Sequence, residues 1–149
     1  MTTTALAPPP APLPEAASYR LTAPNLASTV GLARHWVVDL LQISGRGRLV
    51  DRAALCTSEV VTNAHLHTTS SVITVDVSLS RGGVTVCVRD GAPSPGPRPC
   101  PAWSDGRVLR TTGRGLGIVS ALADRWATVS GETSKTVWFS LLADGRAAP

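Results

Sequence analysis

Lysine is almost missing from this chain: Lys135 is the only one. That leaves no candidate for the G-x-x-x-x-G-K-[ST] loop, or for the strand lysine of a eukaryotic-type protein kinase, so any nucleotide phosphate must be held by another device. Aromatic residues make up only 4% of the chain. The arginines behind its net charge of +4 are scattered, which gives no basic stripe interleaved with stacking rings and argues against direct contact with nucleic acid. The three cysteines, Cys56, Cys87 and Cys100, are odd in number and form no C-x-x-C. They give no pattern for a disulfide framework or a structural zinc site, and reduced thiols are expected. No apolar run approaches the roughly 20 residues of a membrane span. The opening "MTTTALAPPPAPLPEAAS" lacks the basic start and unbroken apolar stretch of a signal peptide, so a cytoplasmic protein with no membrane partner is expected.

What is present fits one folded domain: 149 residues, 43% hydrophobic and 16% charged. Residues 1–17, with "PPPAPLP", read as a proline-rich disordered tail. Residues 18–143 read as the domain, and 144–149 as a second tail. "SYRLTA" reads as a short edge strand. A helix capped by Asn25 or Ser28 follows, with Val30, Ala33, Trp36, Val37, Leu40 and Leu41 at three- and four-residue steps, and stops at "SGRGR". A second helix over Leu49–Leu66 places Val50, Ala54, Thr57, Val61 and Ala64 on an apolar stripe. Beside it runs the line Cys56, Glu59, Asn63, His67. "SVITVDVSLS" and "VTVCVRD" alternate in polarity across "RGG", as an antiparallel hairpin that points Ile73, Val75, Val77, Leu79, Val84, Val86 and Val88 inward. "GAPSPGPRPCPAWSDGRVLRTT" has no periodicity, and a loop this long in a small domain is usually functional, often a lid. Leu116–Ala123 read as a helix, and "RWATVS" and "KTVWFSLLA" as a second hairpin. The order predicts an α+β two-layer sandwich, helices on one face of a mostly antiparallel mixed sheet. Trp36, Trp126 and Trp138 read as core, and Trp103 lies in the lid.

Two stretches carry chemistry. "TTGRGLGI" sets Gly113, Gly115 and Gly117 at alternate positions before a helix. Such glycines either make a tight turn or let backbone N–H groups reach an anion beside the partial positive charge of a helix start. The Rossmann reading fails, because that motif is G-x-G-x-x-G directly after a strand. Glu59 and Asn63 share a helix face. They are either a surface capping pair or a carboxylate and an amide oxygen facing one cleft, where Asn63 suits Mg²⁺ and Glu59 suits a base. His65, His67 and Cys56 do not suit a shared metal site, because alternate helix positions point about 200° apart.

Taken in order, "SEVVTNAHLHT", "VRDGAP", "TTGRGLGIVSALADRW" and "SKTVWF" resemble the N box, first glycine box, second glycine box and final strand of the GHKL ATP-binding fold. More narrowly the chain resembles the stand-alone anti-sigma factor serine/threonine kinases of actinomycetes, over roughly Ser18–Ala143. That resemblance implies ATP and Mg²⁺ as cofactors, with Asn63 binding the metal and Glu59 taking the proton from a serine hydroxyl of a partner. Asp90 would accept from the adenine amino group, beside Gly91, with Thr136 supporting that end of the pocket. Thr112, Gly113, Arg114, Gly115, Leu116 and Gly117 would wrap the phosphates. The implied partners are a sigma factor, an anti-anti-sigma-like protein, or both, and a homodimer is compatible with it. Two positions depart from the pattern. Ala92 stands where the first glycine box commonly has Gly, which bears on the floor of the adenine pocket, and Ser134 replaces a common Gly before Lys135. Two other functions compete: a non-catalytic interaction module, with or without ATP, and a histidine kinase fragment, although nothing N-terminal resembles a dimerising phosphoacceptor helix pair.

Overall fold

The computed structural model describes residues 17–91, 116–130 and 134–142. Strand β1 (Ala17–Pro24) leads to helix α1 (Ser28–Ile43), a 3-10 turn (Gly47–Leu49) and helix α2 (Val50–His67). The hairpin β2 (Val72–Ser80) and β3 (Gly83–Asp90) follows, then the short helix α3 (Gly117–Leu122) and the hairpin β4 (Arg125–Ser130) and β5 (Lys135–Leu142). The five strands form one sheet in the order β1-β2-β3-β5-β4, and every described pairing is antiparallel. This is the expected α+β sandwich. The second hairpin docks by β5 against β3, so the last strand in sequence lies beside the central strand of the sheet.

The strand faces follow from alternation. Ile73, Val75, Val77 and Leu79 of β2, Val84, Val86 and Val88 of β3, and Val137, Phe139 and Leu141 of β5 are buried in one core. Branched residues dominate it because they suit a pleated surface packed on one side. The helices close this core with Ala33, Val37 and Leu41 of α1 and Ala53, Cys56, Val60 and Val61 of α2. The buried stripe of α2 is therefore turned from the one expected: Cys56 lies inside, while Val50 and Ala64 sit at the margin. Trp36 and Trp126 are also marginal to this core, and Trp138 is buried on the other face of the sheet with Cys87 and Ala127.

Helix α1 is stopped by its own sequence. Gly45 takes φ 76°, its N–H donates to Gln42 O at 3.2 Å, and Arg46 N–H donates to Leu41 O at 2.7 Å. These are the two bonds of a Schellman motif, which needs a residue at ease in the left-handed region. The Arg46 side chain then reaches Ser80 O at 2.7 Å and Gly83 O at 3.2 Å, tying the α1–α2 turn to the first hairpin. At its start α1 has no side-chain cap. Asn25, expected to cap it, instead bonds Ser70 O and His65.

The outer face of the sheet carries charge. Asp76, with its side chain fully buried, receives Arg20 through two bonds of 2.7 and 3.1 Å, and Arg89 lies 3.4 Å away. A carboxylate without water needs such partners. Cys87, in the same cross-strand row, is in a disulfide whose other half lies outside the described residues. The expectation of reduced thiols therefore fails for Cys87, and Cys56 alone is a described free thiol.

Candidate functional site

Past the core, the inward stripe of α2 continues for one more turn and borders open space among the described residues. Val60 and Val61 are buried, and the next residues on that side, Asn63, Ala64 and His67, line a cleft instead. Val88 and Asp90 of β3 and Lys135 and Val137 of β5 form the opposite wall. The same alternation that buries Val86 and Phe139 aims these four into the cleft. The space between them is small and continuous with solvent. Its floor is apolar, from Val88 and Val137, and its rim is polar, from Asn63, His67, Asp90 and Lys135. Among the described residues no helix is long and apolar enough to cross a membrane.

Asp90 is fixed at the end of β3. Its Oδ1 accepts the Lys135 backbone N–H at 2.7 Å, so the carboxylate extends the β3–β5 ladder by one bond beyond Arg89 and Thr136. Its Oδ2 has no hydrogen-bond partner among the described residues. A carboxylate is an acceptor only, and the cleft therefore presents one acceptor opposite the Asn63 amide. Immediately after it, Gly91 takes φ 101°, a conformation that side chains rarely adopt.

The structure brings Asn63 and Asp90 together and leaves other expected residues apart. Glu59 is half-buried one turn before Asn63, about 40° round the helix, and is not among the residues that line the cleft. Its charge acts on Cys56. Burial pushes that thiol from its ordinary 9.0 up to about 11, with Arg52 opposing the rise and Glu59 adding to it. Thr136 does not join the cleft lining either. Alternation turns it to the outer face with Trp138, and Lys135 and Val137 take the inward places. Leu116 is buried in the core and Gly117 is exposed as the first residue of α3. Thr112, Gly113, Arg114 and Gly115, with the lid, Ala92 and Trp103, lie outside the described residues. His65, His67 and Cys56 go to three different surroundings: a bond to Asn25, the cleft, and the core.

Sequence reasoning missed Lys135 and the valine floor. Counting back by twos from Leu141 through Phe139 and Val137 gives Lys135 the cleft side and Thr136 the opposite one, so the signal was present. The contacts of Ser70, Asn25 and His65 had no such signal, because they join segments far apart in the chain.

Helices over one face of an antiparallel sheet, with a cleft between the two layers at one end of the sheet, define an α+β two-layer domain. Residues 23–141 match the family described as "Histidine kinase-like ATPase domain", and the chain belongs to that family. Among solved structures it resembles the RsbU and RsbW domains of Rv1364c from Mycobacterium tuberculosis, at 18% identity and a TM-score of 0.62 over 83% of this chain. The chain spans 32% of that structure's chain, and the likeness is one of fold. No curated protein matches the sequence.

Proposed function

We propose that this protein binds ATP with Mg²⁺ in the cleft between α2 and the β3–β5 wall, and acts as an anti-sigma factor-type serine/threonine kinase. The observation that carries the nucleotide reading is Asp90, a cleft residue held by the Lys135 N–H, with its second oxygen unpaired among the described residues. The exocyclic amino group of adenine donates hydrogen bonds and suits that oxygen, whereas guanine presents a carbonyl there. Val88 and Val137 offer the base an apolar floor. Asn63, on the facing helix, has the neutral oxygen that Mg²⁺ accepts alongside phosphate oxygens and water. The ion would neutralise charge on the phosphates. Such a site needs no lysine, since phosphoryl transfer depends chiefly on positioning and electrostatics.

In this reading Glu59 takes the proton from the serine hydroxyl of an anti-anti-sigma-like partner as its oxygen bonds to the γ-phosphorus, and ADP leaves with the bond that breaks. One observation favours a second reading. Glu59 stands beside the described cleft rather than in its wall, which fits a module that binds ATP and a sigma factor but transfers nothing. Calorimetry with ATP, with and without Mg²⁺, tests the shared part: heats that are negligible in both conditions would remove the nucleotide altogether. Labelled phosphate transfer to a partner co-purified from the native cell separates the two readings.

A further inference from the structure

Between the Asn63 helix and the Asp90 strand runs a chain of hydrogen-bonded side chains that do not line the cleft. Asn25 donates its amide N–H to Ser70 O at 2.8 Å, and its own backbone N–H to Ser71 O at 2.9 Å. Because the amide nitrogen faces a carbonyl, the amide oxygen faces His65, whose Nδ1 therefore carries the proton of that 2.7 Å bond. His65 lies on α2 two residues after Asn63. At the other end, the Ser70 hydroxyl donates to Val72 O at 3.0 Å and accepts from Val72 N–H at 3.3 Å and Gly91 N–H at 2.9 Å. One donor and two lone pairs are all a hydroxyl has, so Ser70 is saturated.

The consequence falls on Asp90. The β3 ladder ends there, and the next residue, Gly91, has left extended geometry with φ 101°. Past the ladder, the described bond that holds this backbone is the one to Ser70. On the nucleotide reading above, we propose that Ser70 is a positioning residue for base selection. It fixes the Asp90–Gly91 corner against the helix that carries Asn63, and so sets the place of the Asp90 acceptor relative to the metal-binding end of the site. Asn25 and His65 complete the link to α2.

The test is Ser70→Ala, with Ser70→Thr as rescue, read as the ratio of ATP to GTP affinity in competition binding. Losing one net hydrogen bond at this corner should lower ATP affinity by about 3- to 10-fold. The ATP:GTP ratio should fall by a similar factor, and Ser70→Thr should recover most of it. A residue that only stabilises the fold would lower the melting temperature and leave the ratio of the folded protein unchanged. Amide exchange of Gly91 without nucleotide is the second measurement: slow in the wild type and faster in Ser70→Ala. A selective wild type with an equally selective Ser70→Ala overturns the role of Ser70 alone, as does a Gly91 amide that exchanges at the free-peptide rate in the wild type. A wild type that binds no nucleotide, or binds both equally, overturns the assignment of Asp90 and this role with it.

Discussion

Replacing Asp90 by Asn changes one atom of the cleft, and the structure dictates which one. Lys135 N–H donates to Oδ1 at 2.7 Å, and an amide can meet that donor only with its oxygen. The new NH₂ group is therefore forced into the place of Oδ2, toward the ligand. In the wild type that place holds an ionised acceptor for the adenine amino group, a bond of the charged class contributing about 1.5–3 kcal/mol. In Asp90→Asn two donors face each other, and ATP affinity should fall by about 10- to 100-fold. GTP, whose carbonyl oxygen now meets a donor, should lose nothing at this contact. Removing a negative charge also eases binding of any nucleotide anion, and the ATP:GTP ratio cancels that common gain. The measurement is competition of ATP and GTP for both proteins, with thermal unfolding as a control. Little change in melting temperature is expected, because the Lys135 bond survives. A ratio equal in the two proteins would refute the reasoning, and equal weakening of both nucleotides would make Asp90 a structural group.

The other predictions concern the metal, the base and the buried thiol. Asn63→Ala should remove most of the gain in ATP affinity that Mg²⁺ provides while leaving the metal-free affinity within about 3-fold, since one neutral ligand is lost and the apolar floor is untouched; calorimetry at two Mg²⁺ concentrations decides it. Glu59→Gln should leave ATP affinity nearly intact and slow serine phosphorylation by about 10²- to 10⁴-fold, the usual effect of a positioned base. Transfer at the wild-type rate would assign Glu59 to the fold and favour the non-catalytic reading. The Cys56 thiol, raised from 9.0 to about 11 by burial, keeps its proton more tightly in the folded state. Its contribution is complete below pH 9.0 and is lost as pH rises through about 11, a fall of about 2–3 kcal/mol that Cys56→Ala should abolish. Denaturant unfolding at pH 8 and near pH 11 on both proteins measures the difference.

Local patterns determined much of this protein. Strict alternation in 72–80 and 83–90 set which valines face inward, since a pleated strand has a period of two. Gly45 in "SGRGR" ended α1, because the Schellman turn requires a left-handed residue and the sequence supplies one. The series Glu59, Asn63, Asp90, glycines and final strand was enough to identify the family. Tertiary structure decided the rest, wherever one pattern served two arrangements. Asn25 had the chemistry of a helix cap, but the 68–71 turn lay close enough to take its side chain instead. The apolar stripe of α2 was expected one residue out of phase, because the sequence also offers Ala54 and Ala64 beside Thr57 and Val61. Only the packing of α1 and the sheet chose between the two phases. Asp90 was expected at the cleft, but which of its oxygens is free depends on Lys135, 45 residues away and brought alongside when β5 pairs with β3. Sequence periodicity governs the face of an element; which element lies across from it is settled by burial and pairing over the whole chain, and the Ser70 link belongs entirely to that second kind.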